Sequence, residues 1–280
     1  MNRYFGEKTI LLAKKIKENR PLIHCITNYV TVNDCANALL AVSAAPVMAH
    51  DIRETAEFTA RAKALVCNFG ATEYMEAMFK SAEKAKEIGI PLVIDPVGAG
   101  GSSFRRKYIN EMIDMFELAC IRGNMSEIKS LLIGDSTAGG VDVSEKDLVC
   151  EDRLSEIAKL LREFAAEKKC IVIASGAVDV VASKDAVYGV YNGDAMMPRV
   201  TGSGCMSSAL QGAFLSQENS VESAVSACVY MALAGEIAAK KIYKKFEGPA
   251  LGSFRSLLID ELSLLTTEEI ASGTKVKRIY

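Results

Sequence analysis

The sequence predicts an α/β fold in three layers: a mostly parallel central sheet, helices on both of its faces, and an added group of antiparallel strands. Three observations predict it. Short runs that are apolar throughout recur over the first two-thirds of the 280 residues, separated by stretches with helical spacing, as in strands buried on both faces. Near residue 170 the alternation stops, and three apolar runs follow one another across short Gly or Ser-Lys-Asp breaks, as in strands joined by tight turns. Polar residues and glycines collect just after the apolar runs, where open parallel sheets hold their ligands.

Taken in order, residues 7–18 place Leu11, Leu12 and Ile16 at helical spacing among lysines and glutamates. Residues 21–26 read as a buried strand, 27–34 as a polar loop, 36–45 as an Ala/Leu-rich helix and 46–49 as the next strand. Helices over 54–63, 72–88 and 104–117 alternate with strands over 64–70, 91–97 and 119–124, and a helix covers 125–133. Residues 134–150 are rich in Gly and Asp and take no assignment. A helix over 154–167 precedes the strands at 170–175, 178–182 and 186–191. A loop at 201–204 opens a helix to about Leu215. A long Ala-rich helix spans 221–241, and a last helix spans about 251–265. No repeat or linker interrupts the series, so residues 1–280 read as a single domain.

Half of the residues are hydrophobic, 24% are charged and the formal net charge is −2, a globular profile with no basic tract and hence no footprint for nucleic acid. The eight cysteines form no C-x-x-C pair, which points to a reducing compartment and against a zinc site. The N-terminal segment is charged and helical rather than signal-like, and the longest apolar run, Ala36–Ala49, is too short to span a bilayer. The expected location is the cytoplasm.

The chain carries no G-x-x-x-x-G-K-[ST] loop, and Gly202 and Gly204 match the start of a dinucleotide fingerprint but Ser207 stands where it needs a third glycine. Its two histidines, His24 and His50, read as satisfied strand and loop residues. The segment Thr201-Gly202-Ser203-Gly204-Cys205 is more informative. A side-chain-poor loop opening a helix leaves backbone N–H groups aimed at one point, with the positive end of the helix dipole behind them, which makes an anion site. Cys205 stands at that helix start, where a thiol loses its proton more readily than a free one. Asn124-Met125-Ser126-Glu127 has capping-box spacing, and Glu127 is equally a candidate to hold Mg²⁺ near a phosphate. Asp95, ending a buried strand, is the second candidate acid, and Arg122 is placed to clamp phosphates.

In this order and together, Asp95-Pro96-Val97-Gly98-Ala99-Gly100, Asn124-Met125-Ser126-Glu127 and Gly202-Ser203-Gly204-Cys205 resemble the ribokinase-like kinases. Pro21–Thr31, Ala45–Ala49, Arg122–Asn124, Ser175–Asp179, Gly248-Pro249 and Ser253–Arg255 make the resemblance closest to the hydroxyethylthiazole kinase family of thiamine salvage, over most of the chain. The resemblance implies a ribokinase-like fold and ATP-dependent, Mg²⁺-assisted phosphorylation of the primary alcohol of 4-methyl-5-(2-hydroxyethyl)thiazole. It implies that Met48 and Gly202 contact that alcohol. Arg122, Asn124 and Ser175, with Gly202, Ser203 and Gly204, would bind ATP and its phosphates. Asp95 and Glu127 would organise the metal, and Cys205 would act as catalytic base. It also implies a homotrimer with sites between subunits.

Ser175 stands where the family commonly has Thr, which keeps the hydroxyl, and sister kinases carry Asp where this chain has Cys205. Other readings compatible with the residues are a hydroxymethylpyrimidine or sugar kinase, which predicts Asp at 205, a cysteine acyl-transferase, which needs a histidine beside Cys205, and a non-catalytic nucleotide-binding protein.

Overall fold

The structure, a computed structural model, describes residues 1–133 and 153–280. The unassigned segment 134–150 lies outside the described residues. Helix α1 (Asn2–Asn19) leads into β1 (Leu22–Ile26), α2 (Val32–Ala41), β2 (Ala45–Val47), α3 (Thr55–Thr59), β3 (Ala64–Asn68), α4 (Met75–Ile88), β4 (Leu92–Asp95), α5 (Ser103–Met115), β5 (Cys120–Asn124) and α6 (Met125–Ile133). Then come α7 (Leu154–Lys168), β6 (Ile171–Ser175), β7 (Asp179–Ala182), β8 (Val187–Val190), α8 (Ser203–Leu215), α9 (Val221–Lys245), α10 (Leu251–Leu264), α11 (Thr267–Gly273) and β9 (Val276–Arg278).

The strands form one sheet in the order β2-β1-β3-β4-β5-β6-β7-β8-β9. Pairs from β2 to β6 are parallel, and β6–β7, β7–β8 and β8–β9 are antiparallel. Successive side chains of a strand point to opposite faces, so a strand apolar throughout feeds two cores. In β6, Ile171 and Ile173 join the core packed with residues of α1, α2, α8, α9 and α10, whereas Val172 and Ala174 join the core beneath α4–α7. Two helical layers thus enclose the sheet, as the alternation predicts.

Three departures from the sequence expectation have physical causes. Helix α2 starts at Val32 rather than Ala36, because Asn28 closes the preceding turn: its carbonyl and carboxamide oxygens both accept the Thr31 N–H, at 3.1 and 3.2 Å. Val32 and the polar Asn33 and Asp34 are therefore helical, and Asp34 is buried against the Arg255 guanidinium of α10. Second, α11 was not expected. Its signal is Thr266-x-x-Glu269, a capping box in which each side chain accepts the other residue's backbone N–H. Third, β9 was not expected; it is only three residues long and pairs with β8 at the sheet edge.

Helix α8 lies inside the body against β1, β3, β4 and β5, and every residue from Met206 to Leu215 is buried. Gly212 permits this depth: a Cβ there would come within 2.6 Å of Val66 Cγ2 and 3.2 Å of Ile23 Cγ2. Helix α9 is the one described helix long and apolar enough to cross a membrane, and 83% of its most apolar stretch is buried within the protein.

Gly212→Val is expected to lower stability by about 1–3 kcal/mol through overpacking of α8 on β1 and β3. Thermal melting checks this; an unchanged Tm would show that α8 has room to lift.

Candidate active site

Strand β1 has β2 on one side and β3 on the other, so successive connections leave it in opposite directions. This is the topological switch point at which open α/β sheets bind ligands, beyond the carboxyl ends of the strands. Asn28 follows β1, Asn68 ends β3, Asp95 ends β4, Arg122 and Asn124 lie in the last three residues of β5, and Ser175 ends β6. The first turn of α8 is seated above this row.

That turn is uncapped by any side chain. Gly202 sits at φ +93°, and a Cβ there would meet Thr31 Cγ2 at 3.1 Å and Asp34 Oδ2 at 3.4 Å, so only glycine suits the position. The Ser203 N–H turns back to the Val200 carbonyl, and the Ser203 hydroxyl donates to the Met197 carbonyl at 2.9 Å. Ser203 thus lends shape to the loop, and its own polar groups are spent within it. The first bond of the helix runs from the Met206 N–H to the Gly202 carbonyl. The N–H groups of Gly204 and Cys205 have no acceptor among the described residues.

Arg122 lies beside them. A Cβ on Gly204 would come within 2.9 Å of Arg122 Nη1. The Arg122 side chain is buried, and its Nε has no hydrogen-bond partner. Burial works against its charge, but Asp95 and Asp179, with Cys228 and Cys205, outweigh burial and hold the guanidinium above its ordinary value. A buried cation with an unspent donor, next to two unspent backbone N–H groups, forms an anion site.

Beneath the anion site a polar network surrounds Cys205. The Asn68 amide nitrogen donates to Asp95 Oδ2 at 2.9 Å and to Cys205 Sγ at 3.2 Å. Asn28 Nδ2 donates to Asn68 Oδ1 at 3.1 Å and reaches Cys205 Sγ at 3.7 Å. The Ser208 hydroxyl donates to Asp95 Oδ2 at 2.8 Å. Burial pushes the Asp95 carboxyl up to about 6; Arg122 opposes the rise, Glu127 adds to it, and the bonds from Ser208 and Asn68 moderate it. The expectation of an easily ionised thiol at the helix start is not met. Burial and then Asp95 push the Cys205 pKa up, against bonds from Thr31, Asn68 and Asn28.

Asn124 and Glu127 form the reciprocal cap that their spacing suggests: the Glu127 N–H donates to Asn124 Oδ1 and the Asn124 N–H to Glu127 Oε2, each at 2.9 Å. Glu127 Oε1 accepts the Gly98 N–H at 3.0 Å. These contacts orient the carboxylate and leave lone pairs on both oxygens. Among the described residues no group of three or more His, Cys, Asp or Glu is placed to hold a metal. The donor chemistry fits Mg²⁺ all the same. Asp95 and Glu127 are hard oxygen donors close enough for Glu127 to disfavour ionisation of Asp95, and Mg²⁺ takes one or two carboxylates, completing its shell with water and phosphate oxygens.

The remaining residues sit as follows. Met48 follows β2, packs partly against the core, and accepts from or faces His50 Nδ1 through its carbonyl at 3.2 Å. His50 stacks on Tyr74 with ring centroids 4.0 Å apart. His24 is fully buried between Thr59 Oγ1 at 2.9 Å and the Ala49 carbonyl at 2.7 Å, so both histidines hold structure. The Ser175 hydroxyl donates to the Gly123 carbonyl at 3.3 Å, beside Asn124 in the register of β5 and β6. Asn28, Asn68 and Ser208 carry no assigned role in the sequence analysis; the pairing of two amides across a switch point has no linear signal.

Comparison with known proteins agrees with this fold. The profile of the Hydroxyethylthiazole kinase family matches residues 13–268. The hydroxyethylthiazole kinase of Methanobrevibacter smithii is 42% identical over 274 residues, covering 95% of this chain and 95% of its own. The hydroxyethylthiazole kinase structure from Pyrococcus horikoshii superposes with a TM-score of 0.84 at 36% identity, covering 97% of this chain and 99% of its own. A ribokinase-like superfamily protein from Enterococcus faecalis shares the fold at a TM-score of 0.56 and 10% identity, covering 91% of this chain and 94% of its own.

The raised Asp95 carboxyl has a testable sign. An unfolded Asp titrates near 3.9, so between about pH 4 and 6 the folded protein keeps a proton that the unfolded chain has released. This group therefore favours the fold at low pH, and its contribution is lost as pH rises through about 6. Asp95→Asn, which does not ionise, is expected to gain stability relative to the parent between pH 4 and 7. Thermal melts across that range check it, and a constant or reversed Tm difference contradicts the assignment.

Proposed function

The chain belongs to the hydroxyethylthiazole kinase family, and on that premise we propose that it transfers the γ-phosphoryl group of ATP to the primary alcohol of 4-methyl-5-(2-hydroxyethyl)thiazole. The observation that carries this reading is the unspent Gly204 and Cys205 N–H groups beside the Arg122 guanidinium, whose Nε has no hydrogen-bond partner. Phosphoryl transfer asks little covalent chemistry of a protein; it needs positioning and fixed positive charge around the transferred group. N–H groups already aimed at one point cost no reorganisation when charge develops there. Gly202 and Met48 border the alcohol, and Asn124, Ser203 and Ser175 shape the path of the phosphates. Mg²⁺, held by Asp95 and Glu127, would neutralise phosphate charge.

The alcohol must lose its proton as the new P–O bond forms. Cys205, at the start of α8, is the residue assigned to receive it. A thiol raised by burial is a weak acid and a correspondingly strong base once ionised, and in a loose transition state the proton leaves late. A second reading gives that task to Asp95, whose carboxyl at about 6 is ionised near neutrality. The family resemblance implies a homotrimer that shares its sites between subunits, and Tyr29 and Val30, 78% and 56% exposed just after Asn28, are apolar surface that such an interface would cover. The same proposal treats residues 1–280 as one kinase domain, located in the cytoplasm.

The test is formation of the thiazole phosphate from ATP, followed by mass spectrometry; binding of the thiazole without phosphate formation would sink the assignment. Cys205→Asp is expected to keep turnover, because a carboxylate is ionised at pH 7. Cys205→Ala is expected to lower kcat by about 10²-fold or more if the thiol is the base, whereas unchanged turnover assigns the proton to Asp95. Glu127→Gln is expected to need more Mg²⁺ for half-maximal rate; an unchanged Mg²⁺ titration returns Glu127 to capping alone.

A further inference from the structure

Two carboxamides face the Cys205 sulfur, and their orientations follow from their other contacts. A backbone N–H can only donate. The Gly70 N–H lies 3.0 Å from Asn68 Oδ1, so that atom is the oxygen and Nδ2 is the end turned to Cys205. The Thr31 N–H lies 3.2 Å from Asn28 Oδ1, so Asn28 also turns its NH₂ toward Asn68 and the sulfur. The pair is closed by the Asn28 Nδ2 to Asn68 Oδ1 bond. Neither amide can flip without setting an N–H donor against a backbone N–H.

Space fixes the pair as firmly as bonding does. Gly70 packs so closely that a Cβ would fall 2.8 Å from Asn68 Oδ1 and 3.0 Å from Asn28 Nδ2. Asn68 is 1% exposed, so its amide has no water to fall back on. Its two N–H groups are divided between Asp95 Oδ2 and Cys205 Sγ, which makes one amide the bridge between a carboxylate and the thiol. The ionisable groups that act on Cys205 are Asp95 at the end of β4, Arg122 on β5 and Cys35 on α2. Asn68 bonds both Cys205 and Asp95, whereas Thr31 bonds Cys205 and accepts from the Cys35 thiol at 4.0 Å.

We propose that Asn68 is the positioning residue of Cys205, holding the sulfur as a hydrogen-bond acceptor at a fixed place relative to Asp95 and the first turn of α8. Its catalytic consequence rests on the reading of Cys205 as base; its effect on the sulfur does not. Asn68→Asp keeps the shape and replaces the donor with an acceptor. Asn68→Ala removes the donor.

The experiment measures two quantities on the full chain. One is the rate of iodoacetamide modification at Cys205, read on its peptide by mass spectrometry at about pH 8. The other is the separate kcat and KM values for both substrates. The thiolate is the reacting form, so losing a donor that favours it is expected to slow modification by about tenfold or more in both variants. The expected kinetic result is a fall in kcat with KM nearly unchanged. Unchanged modification in both variants overturns the proposal, and a loss of kcat in that case assigns Asn68 to Asp95 alone. Slowed modification with full kcat upholds the positioning of the sulfur and removes Cys205 as base. Should the Asn68 variants not fold, Gly70→Ala displaces the amide pair from behind and is expected to slow modification in the same way; unchanged modification there overturns the proposal equally.

Discussion

Everything at this site depends on the uncapped first turn of α8. A helix start buried without partners for its N–H groups is costly, and most helices supply a side-chain oxygen to relieve it. Here the N-cap is Gly202, which has no side chain to offer, and Ser203 directs its hydroxyl backward to Met197. The deficit is left open at the point where Arg122 Nε also has no hydrogen-bond partner. Two unsatisfied elements of like sign at one place are unfavourable unless an anion joins them, which is the physical ground for proposing that the turn receives phosphate.

The depth of α8 against the sheet sets this arrangement. Gly212 lets the helix settle onto β1 and β3, and with the axis fixed there, the position of its first turn relative to the strand ends is fixed as well. The strand ends then contribute by order alone: Asn28 and Asn68 flank the switch point, Asp95 comes next, and Arg122 follows. The opposing pressures on Asp95 and Cys205 arise from this crowding. Burial disfavours charge on both, while amide and hydroxyl donors favour it.

The layered fold was legible in the chain because burial on two faces forces strands to be apolar throughout, and that signature survives without any knowledge of pairing. The strand-end residues Asp95, Arg122 and Ser175 were legible for the same reason, since each follows an apolar run. What escaped has a common cause. The start of α2 is polar because Asp34 is neutralised by Arg255, 221 positions away. The role of Asn68 depends on Asn28, forty positions earlier, and on Cys205, 137 positions later. The lowered pKa expected of Cys205 considered the helix dipole but not the carboxylate and the burial that tertiary structure brings to it. Local chemistry is written locally; the field at a buried site is not.

The last strand has a consequence for how the chain is made. Strand β9 covers the edge of β8, and the Val276 N–H donates to Asn2 Oδ1, 274 positions earlier. During synthesis the N-terminal helix therefore emerges first and gains this contact last. Until residues 276–278 are free, β8 presents a bare row of backbone donors and acceptors, a template for pairing with a neighbouring chain. Pairing of residues 276–278 with β8 ends this exposure, and their removal would bare the edge of β8 while sparing every residue of the site.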